Sequence, residues 1–531
     1  MPMKLIQLLR SPAGRPPRRR MARPGMAAAA AVLLPVLLWP GSPVHAAGAA
    51  ADEPTRPCRI AGWPNELRCG QVERPLNPAE PQGRKISVHY LLVPAKSRSK
   101  LPDPVVMFAG GPGQAAIRLA PKVIPGLSSL NNRRDLIFID QRGTGLSAPL
   151  QCADTRSLPA SEALSSEGQQ RRLQQCLAQL QQLPHGDLRF YTTSVAMQDF
   201  DAVRQQLGVR RWNLIGASYG TRAALEYQRQ FPQAVRRTLL DGMAPADQAL
   251  PESMSPDAQA ALDRVFASCE QDAACRQTYP RLRERWELLL KGLPREVSLP
   301  HPLSGVGERV LLERDALMRA VRVPLYVPAL AAALPAAIDA AAQGRFEGLA
   351  GLVGGLGLSG QDRLFEGMHF SVICAEDLPR MGEQARTTPG RDFGDGEARF
   401  YRRACASWPR GEVPADFYRT PQAQSPVLLL SGGADPVTPP RHGERIARAL
   451  GPKALHLVAP NAGHGVMRLA CLREPMQRFF NAENDEDALA IKADCLARVP
   501  RALPFYPPGT PRPAAPAAAA SSATAASEVS R

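Results

Sequence analysis

The stretch that most limits how this chain can fold is Arg211-Trp-Asn-Leu-Ile-Gly-Ala-Ser-Tyr-Gly220. A short apolar run closes on Gly216-Ala217-Ser218-Tyr219-Gly220, and residues 221–231 continue with helical spacing. This is a strand, a sharp turn and a helix with a serine at the apex, the G-x-S-x-G nucleophile elbow. Glycines at 216 and 220 let strand and helix approach where side chains would collide. Ser218 is therefore the candidate nucleophile, and the rest of the chain must supply the groups that would activate it.

The 531 residues suffice for a large domain and a substantial second one. Residues 1–46 are set apart from the fold. Lys4, Arg10, Arg15, Arg18, Arg19, Arg20 and Arg23 form a basic leader with no acid. Residues 26–39 are an apolar core, and Val44-His45-Ala46 suits cleavage, so the segment reads as a secretory signal peptide. The apolar core is too short for a membrane anchor and contains Pro35. The whole chain is +16 and the leader supplies seven of those charges, leaving about +9. No Lys/Arg run with interleaved aromatics remains, so nucleic acid is a poor partner. Ten cysteines follow the leader: Cys58, Cys69, Cys152, Cys176, Cys269, Cys275, Cys374, Cys405, Cys471 and Cys495. An even number in an exported chain argues for disulfides, with pairing between sequence neighbours the simplest of many connectivities. No cysteine or histidine spacing suits a metal site.

Taken in order, residues 54–77 read as irregular and cysteine-bearing, and 85–93 as an edge strand entering a sheet. Residues 104–108 and 135–139 read as short buried strands. They run into Ala109-Gly110-Gly111-Pro112-Gly113-Gln114 and Asp140-Gln141-Arg142-Gly143-Thr144-Gly145. A helix over 192–207 stops at Gly208, and 235–240 follows the elbow helix as the next strand. Alternating strands and helices imply α/β architecture, a mostly parallel sheet with helices on both faces. That rhythm covers 54–245, breaks over a largely helical insertion at 246–420, and resumes over 421–505. Helices are expected at 258–269, 281–293, 313–321 and 326–342, and the insertion reads as a lid. The Pro/Ala/Ser-rich end, 507–531, reads as disordered.

A serine hydroxyl needs a base to take its proton, and the base needs an orienting acid. Asp435 stands just past the strand expected at 426–430, and His464 past the strand expected at 454–458, flanked by Gly463 and Gly465. This is the order Ser, acid, His along the chain. Asp241, at the end of the strand after the elbow, is the rival acid. Two backbone N–H donors must await the oxyanion. One is assigned to Tyr219, after the nucleophile, and the other to Gly110 or Gly111 in the loop after strand 104–108.

Taken together, Gly110-Gly111-Pro112-Gly113, the Asp140–Gly145 motif, Gly216-x-Ser218-Tyr219-Gly220-Thr221, Leu240-Asp241-Gly242 and Gly433-Ala434-Asp435-Pro436-Val437-Thr438-Pro439 resemble one group. It is the prolyl aminopeptidase and tripeptidyl aminopeptidase branch of the α/β-hydrolases, and the resemblance extends to Cys374-Ala375-Glu376-Asp377 and Cys405-Ala-Ser-Trp408. Ala109 stands where prolyl aminopeptidases commonly have histidine, a departure from strict proline specificity. The resemblance implies an α/β-hydrolase fold with an inserted helical lid. It also implies an exported serine peptidase that acts on the amino-terminal end of peptides through an acyl-enzyme, without a cofactor. Such an enzyme must recognise a free ammonium group, and Glu376, then Asp377, are the lid carboxylates expected to do so. The rival readings are a carboxylesterase with the same triad and an inactive hydrolase fold used for binding. No motif specifies an oligomeric state.

Overall fold

The computed structural model describes residues 53–506 except 156, 302–303, 355–362 and 383–390. The expected signal peptide and the expected tail both lie outside the described residues. The architecture rests on strands β1 (Arg56–Cys58), β2 (Leu67–Pro75), β3 (Lys85–Val93), β4 (Val105–Phe108), β5 (Leu136–Ile139), β6 (Trp212–Ala217), β7 (Val235–Asp241), β8 (Arg295–Pro300), β9 (Gly307–Leu312), β10 (Val427–Gly432) and β11 (Ala454–Ala459). Among the described residues, nine of these form one sheet in the order β1-β2-β3-β5-β4-β6-β7-β10-β11. The six from β5 to β11 run parallel, while β1, β2 and β3 are antiparallel to their neighbours.

The central parallel strands β4, β5, β6 and β10 are short and largely apolar because both of their faces are covered. Side chains alternate across the sheet. Val106, Phe108, Ile137, Ile139, Leu214, Val427 and Leu429 enter one core, while Val105, Met107, Leu136, Phe138, Ile215, Leu428 and Leu430 enter the other. Beneath the elbow, Phe108 stacks on Phe200 at 4.8 Å between ring centroids.

Three parts of the fold differ from the sequence reading. The stretch expected to be irregular contains β2, a nine-residue strand paired along its length with β3. Its polar, half-exposed residues hid it, for an antiparallel edge strand needs only one modestly apolar face. The insertion holds an antiparallel hairpin, β8 with β9, beside its helices. The helix expected over 326–342 is broken into Pro328–Ala331 and Leu334–Ala342, with a proline near each start.

Residues 246–420 also contribute to two separate cores. Leu262, Phe266, Trp286, Val321 and Ile338 belong to a cluster built mainly from the insertion. Phe365, Phe370, Tyr401 and Trp408 instead join the core on one face of the main sheet. The second half of the insertion is thus packed onto the sheet layer, which matters for the site below. The ten cysteines pair as sequence neighbours, 58–69, 152–176, 269–275, 374–405 and 471–495. Among the described residues, no helix is long and apolar enough to cross a membrane.

Candidate active site

Ser218 sits between β6 and the helix Tyr219–Gln230 with φ 55° and ψ −127°, a conformation that costs an L-residue energy. The turn is possible because a side chain at Gly216 would lie 2.4 Å from the Gly220 carbonyl oxygen, and one at Gly220 would lie 2.1 Å from that of Phe108. Three contacts hold the strained residue. Its N–H donates to the Asp241 carbonyl at 2.9 Å, and its own carbonyl accepts from the Thr221 N–H at 2.8 Å and the Thr221 hydroxyl at 2.6 Å. Thr221, whose hydroxyl also accepts from the Ala244 N–H at 2.9 Å, is a buried support to which the sequence reading gave no role of its own.

Beyond β10 and β11 lie the other two groups. His464 Nδ1 is 2.8 Å from Asp435 Oδ2. The other Asp435 oxygen, Oδ1, accepts from the N–H groups of Val437 and Thr438 at 2.8 and 2.9 Å. The Thr438 hydroxyl donates to Oδ2 at 2.7 Å and lies 3.1 Å from His464 Nδ1. Thr438 was likewise given no role, although a threonine three residues past a turn aspartate is a recognisable local bonding pattern. Burial works against ionisation of Asp435, but the attraction and hydrogen bond of His464, with the Thr438 bonds, overcome it and hold its pKa below the usual carboxylate value. Burial likewise opposes a charge on His464, yet Asp435, with Asp241 adding, leaves the imidazole pKa above 6.5.

The Asp241-Gly242 peptide lies against both Ser218 and His464. The serine N–H is bonded to Asp241, and a side chain at Gly242 would lie 3.3 Å from His464 Cε1. The Tyr326 ring meets the imidazole edge-on at 5.2 Å, and the Tyr326 carbonyl accepts from the His464 N–H at 3.0 Å. Asp241 occupies a different place from Asp435: its two oxygens accept from the N–H groups of Val466 and Met467 at 2.8 and 3.0 Å. It anchors the loop that carries the histidine.

On the other side of the serine, Gly110 lies so close that a side chain there would be 3.2 Å from Ser218 Cβ. The Gly110 N–H already donates to Gln114 Oε1 at 3.1 Å. Of the two glycines expected as donors, Gly110 thus has its N–H engaged within its own loop. Tyr219, the other expected donor, buries its ring, with its hydroxyl 2.6 Å from Thr193 Oγ1 and accepting from Gln141 Nε2 at 3.1 Å. The Asp140–Gly145 motif is thereby a scaffold. Arg142 of the same motif is buried in a bidentate pair with Asp199, at 2.6 and 2.8 Å.

Glu376 and Asp377 are placed differently from expectation. Both side chains have 0% exposure. Arg222, one turn into the elbow helix, holds Asp377 at 3.0 and 3.1 Å and Glu376 at 3.4 Å. Glu376 also accepts from the Thr193 N–H at 2.6 Å, and Asp377 from the Leu250 N–H at 2.9 Å. A peptide ammonium would have to displace Arg222 to reach either acid, so their partner is the arginine. Burial pushes the Glu376 pKa up to about 7, with Arg222 opposing. Arg222→Met should destabilise the protein by about 3–5 kcal/mol, because it strands buried carboxylates without a counter-charge. Urea unfolding followed by circular dichroism measures this; an unchanged midpoint would remove the cluster as a clamp between elbow helix and insertion.

The sheet, the elbow and the loops beyond β10 and β11 define an α/β hydrolase, and residues 103–284 match the α/β hydrolase fold family. Residues 393–488 match the family described as TAP-like protein, so the chain has an α/β-hydrolase fold with a TAP-like stretch toward its carboxyl end. A tripeptidyl aminopeptidase of Streptomyces coelicolor is 29% identical over 202 residues, 34% of this chain. The match spans only 36% of that relative's own length. The serine protease Hip1 of Mycobacterium tuberculosis is 25% identical over 467 residues, covering 80% of this chain and 88% of that protein. A carboxylesterase B of Mycobacterium tuberculosis is 26% identical over 418 residues, covering 72% and 78% respectively.

Proposed function

We propose that this protein is an exported serine exopeptidase that releases residues or short peptides from the amino termini of peptide substrates. Ser218 Oγ attacks the scissile carbonyl while His464 Nε2 accepts its proton. His464 Nδ1–H donates to Asp435, which fixes the tautomer and stabilises the imidazolium. The N–H groups of Tyr219 and Gly111 take the oxyanion. The imidazolium then protonates the leaving amine, and water attacks the acyl-enzyme with His464 as base. The observation that carries this reading is the 2.8 Å Asp435–His464 bond, with the Asp241-Gly242 peptide lying against both the imidazole and the strained Ser218. The relatives named as a tripeptidyl aminopeptidase and a serine protease favour peptides as substrates. Export is supported by the leader and by five disulfides, which persist in oxidising compartments.

The test is mass spectrometry of a small peptide library, each member supplied with a free and an acetylated amino terminus. Free peptides should lose amino-terminal fragments of constant length, and their acetylated twins should be cut at least about tenfold more slowly, the discrimination expected of a site that pairs the ammonium group. The carboxylesterase reading is favoured by the relative of that name. Turnover of simple acyl esters with every peptide left intact would establish it instead.

A further inference from the structure

The loop that carries the oxyanion donor is held from the insertion. His369, on the helix Glu366–Val372, is buried with both ring nitrogens engaged. Nδ1 lies 3.1 Å from the Pro112 carbonyl oxygen and Nε2 lies 2.8 Å from the Tyr401 hydroxyl. A carbonyl only accepts, so Nδ1 carries the hydrogen and the Tyr401 hydroxyl donates to Nε2. Burial pushes the imidazole pKa down, which keeps the ring neutral and this pattern intact at neutral pH. Tyr401 in turn is fixed by its place on the helix Gly396–Cys405, which Cys374–Cys405 ties to the turn following the His369 helix.

Main-chain bonds add to the clamp. The Phe365 N–H donates to the Gly113 carbonyl at 2.8 Å, and within the loop the Gln114 N–H donates to the Gly110 carbonyl at 3.2 Å. The Gly111 N–H therefore lies between two anchors, the Gly110 N–H held by Gln114 and the Pro112 carbonyl held by His369. An oxyanion donor is effective only when aimed in advance at the place where charge develops. We propose that His369 is a positioning residue for the oxyanion loop, through which the Tyr401 segment of the insertion sets the direction of the Gly111 N–H. The role rests on Ser218 being the nucleophile, and it makes this part of the insertion a component of the catalytic apparatus as well as a cover.

Two isosteres separate the bond from the packing. The Asn Nδ2 group falls near the position of imidazole Nδ1 and can donate to Pro112, whereas the Gln amide reaches toward the Nε2 position. Turnover of p-nitrophenyl butyrate, an ester open to peptidase and esterase alike with such a site, supplies kcat and KM. His369→Gln should lower kcat by about 10- to 100-fold, somewhat less than outright removal of an oxyanion donor, with KM within about twofold. His369→Asn should stay within about threefold of the parent, because it keeps the Pro112 donor. Affinity for an alkyl boronic acid, which forms a tetrahedral adduct on the serine, should fall in step with kcat for the glutamine variant.

If the glutamine variant fails to fold by circular dichroism, His369→Leu takes its place, with the same drop in kcat expected. Equal losses in the asparagine and donor-lacking variants, or losses confined to KM, would overturn the role. Full activity in all of them would do the same. Ser218→Ala, run alongside, keeps the two ideas apart: an active alanine variant defeats the serine assignment, whereas an inactive one with the asparagine and glutamine variants alike defeats only His369.

Discussion

Ser218→Ala should lower kcat by about 10⁶-fold while the protein stays folded, a loss of the size met when the nucleophile of a serine triad is deleted. The bonds that hold the serine to Asp241 and Thr221 run through its backbone, so alanine removes the attacking oxygen and none of those bonds. Residual turnover of about 10³- to 10⁴-fold over water is expected from the oxyanion donors and substrate binding alone. A second substitution separates chemistry from stability. Ser218→Gly should be equally inactive, yet more stable by about 1 kcal/mol, because φ 55° with ψ −127° is a conformation glycine adopts without strain. Urea midpoints for the parent and both variants, beside single-turnover rates, check the pair of outcomes. A glycine variant less stable than the parent would mean the elbow is not strained as its backbone angles indicate.

The main frame of the site was legible because its signals are local. Strands β4, β5, β6 and β10 are four to six residues long and almost wholly apolar, as central parallel strands must be. The candidate residues lie past the carboxyl ends of β4, β6, β10 and β11, where loops from a parallel sheet gather. Ser218, Asp435 and His464 could thus be picked out from strand, turn and chain order. Gly110 and Gly111 could not be told apart, because the choice depends on where the Gln114 side chain folds back.

What stayed hidden depends on side-chain direction across long sequence separations. The sequence shows two acids at 376 and 377 but not that Arg222, about 150 residues earlier, fills the space before them. It shows a histidine at 369 among apolar neighbours, which reads as an ordinary core residue until Pro112 is found against its ring. Strand β2 was concealed by its polar composition and β9 by the helices around it, since an exposed two-stranded hairpin needs only alternate apolar residues such as Val310 and Leu312.

The choice between the two candidate acids yields the second large effect. Asp435→Asn should lower kcat by about 10⁴-fold, the cost seen when a triad aspartate becomes its amide. The local bonds say why. Oδ1 of Asp435 accepts from two backbone N–H groups, so an asparagine must put its oxygen there and turn its NH₂ toward Thr438 and His464. Facing an N–H donor, His464 Nδ1 becomes the acceptor and the ring hydrogen moves to Nε2, where the serine proton should go. The acid limb of the pH profile gives an independent check. Activity needs neutral His464 and is lost as pH falls through its pKa, which Asp435 holds above 6.5 against the effect of burial. Without that carboxylate burial prevails, so the limb of the residual activity should move to lower pH. Asp241→Asn should behave in the opposite way. Its oxygens serve the Val466 and Met467 N–H groups, and an amide sets one N–H against another. That costs about 1–3 kcal/mol of stability, and the imidazole keeps its Asp435 partner, so kcat should fall far less than in Asp435→Asn. Were the large kinetic loss to follow Asp241 instead, the histidine would take its orientation from β7 rather than β10, and the bond at 2.8 Å would be structural.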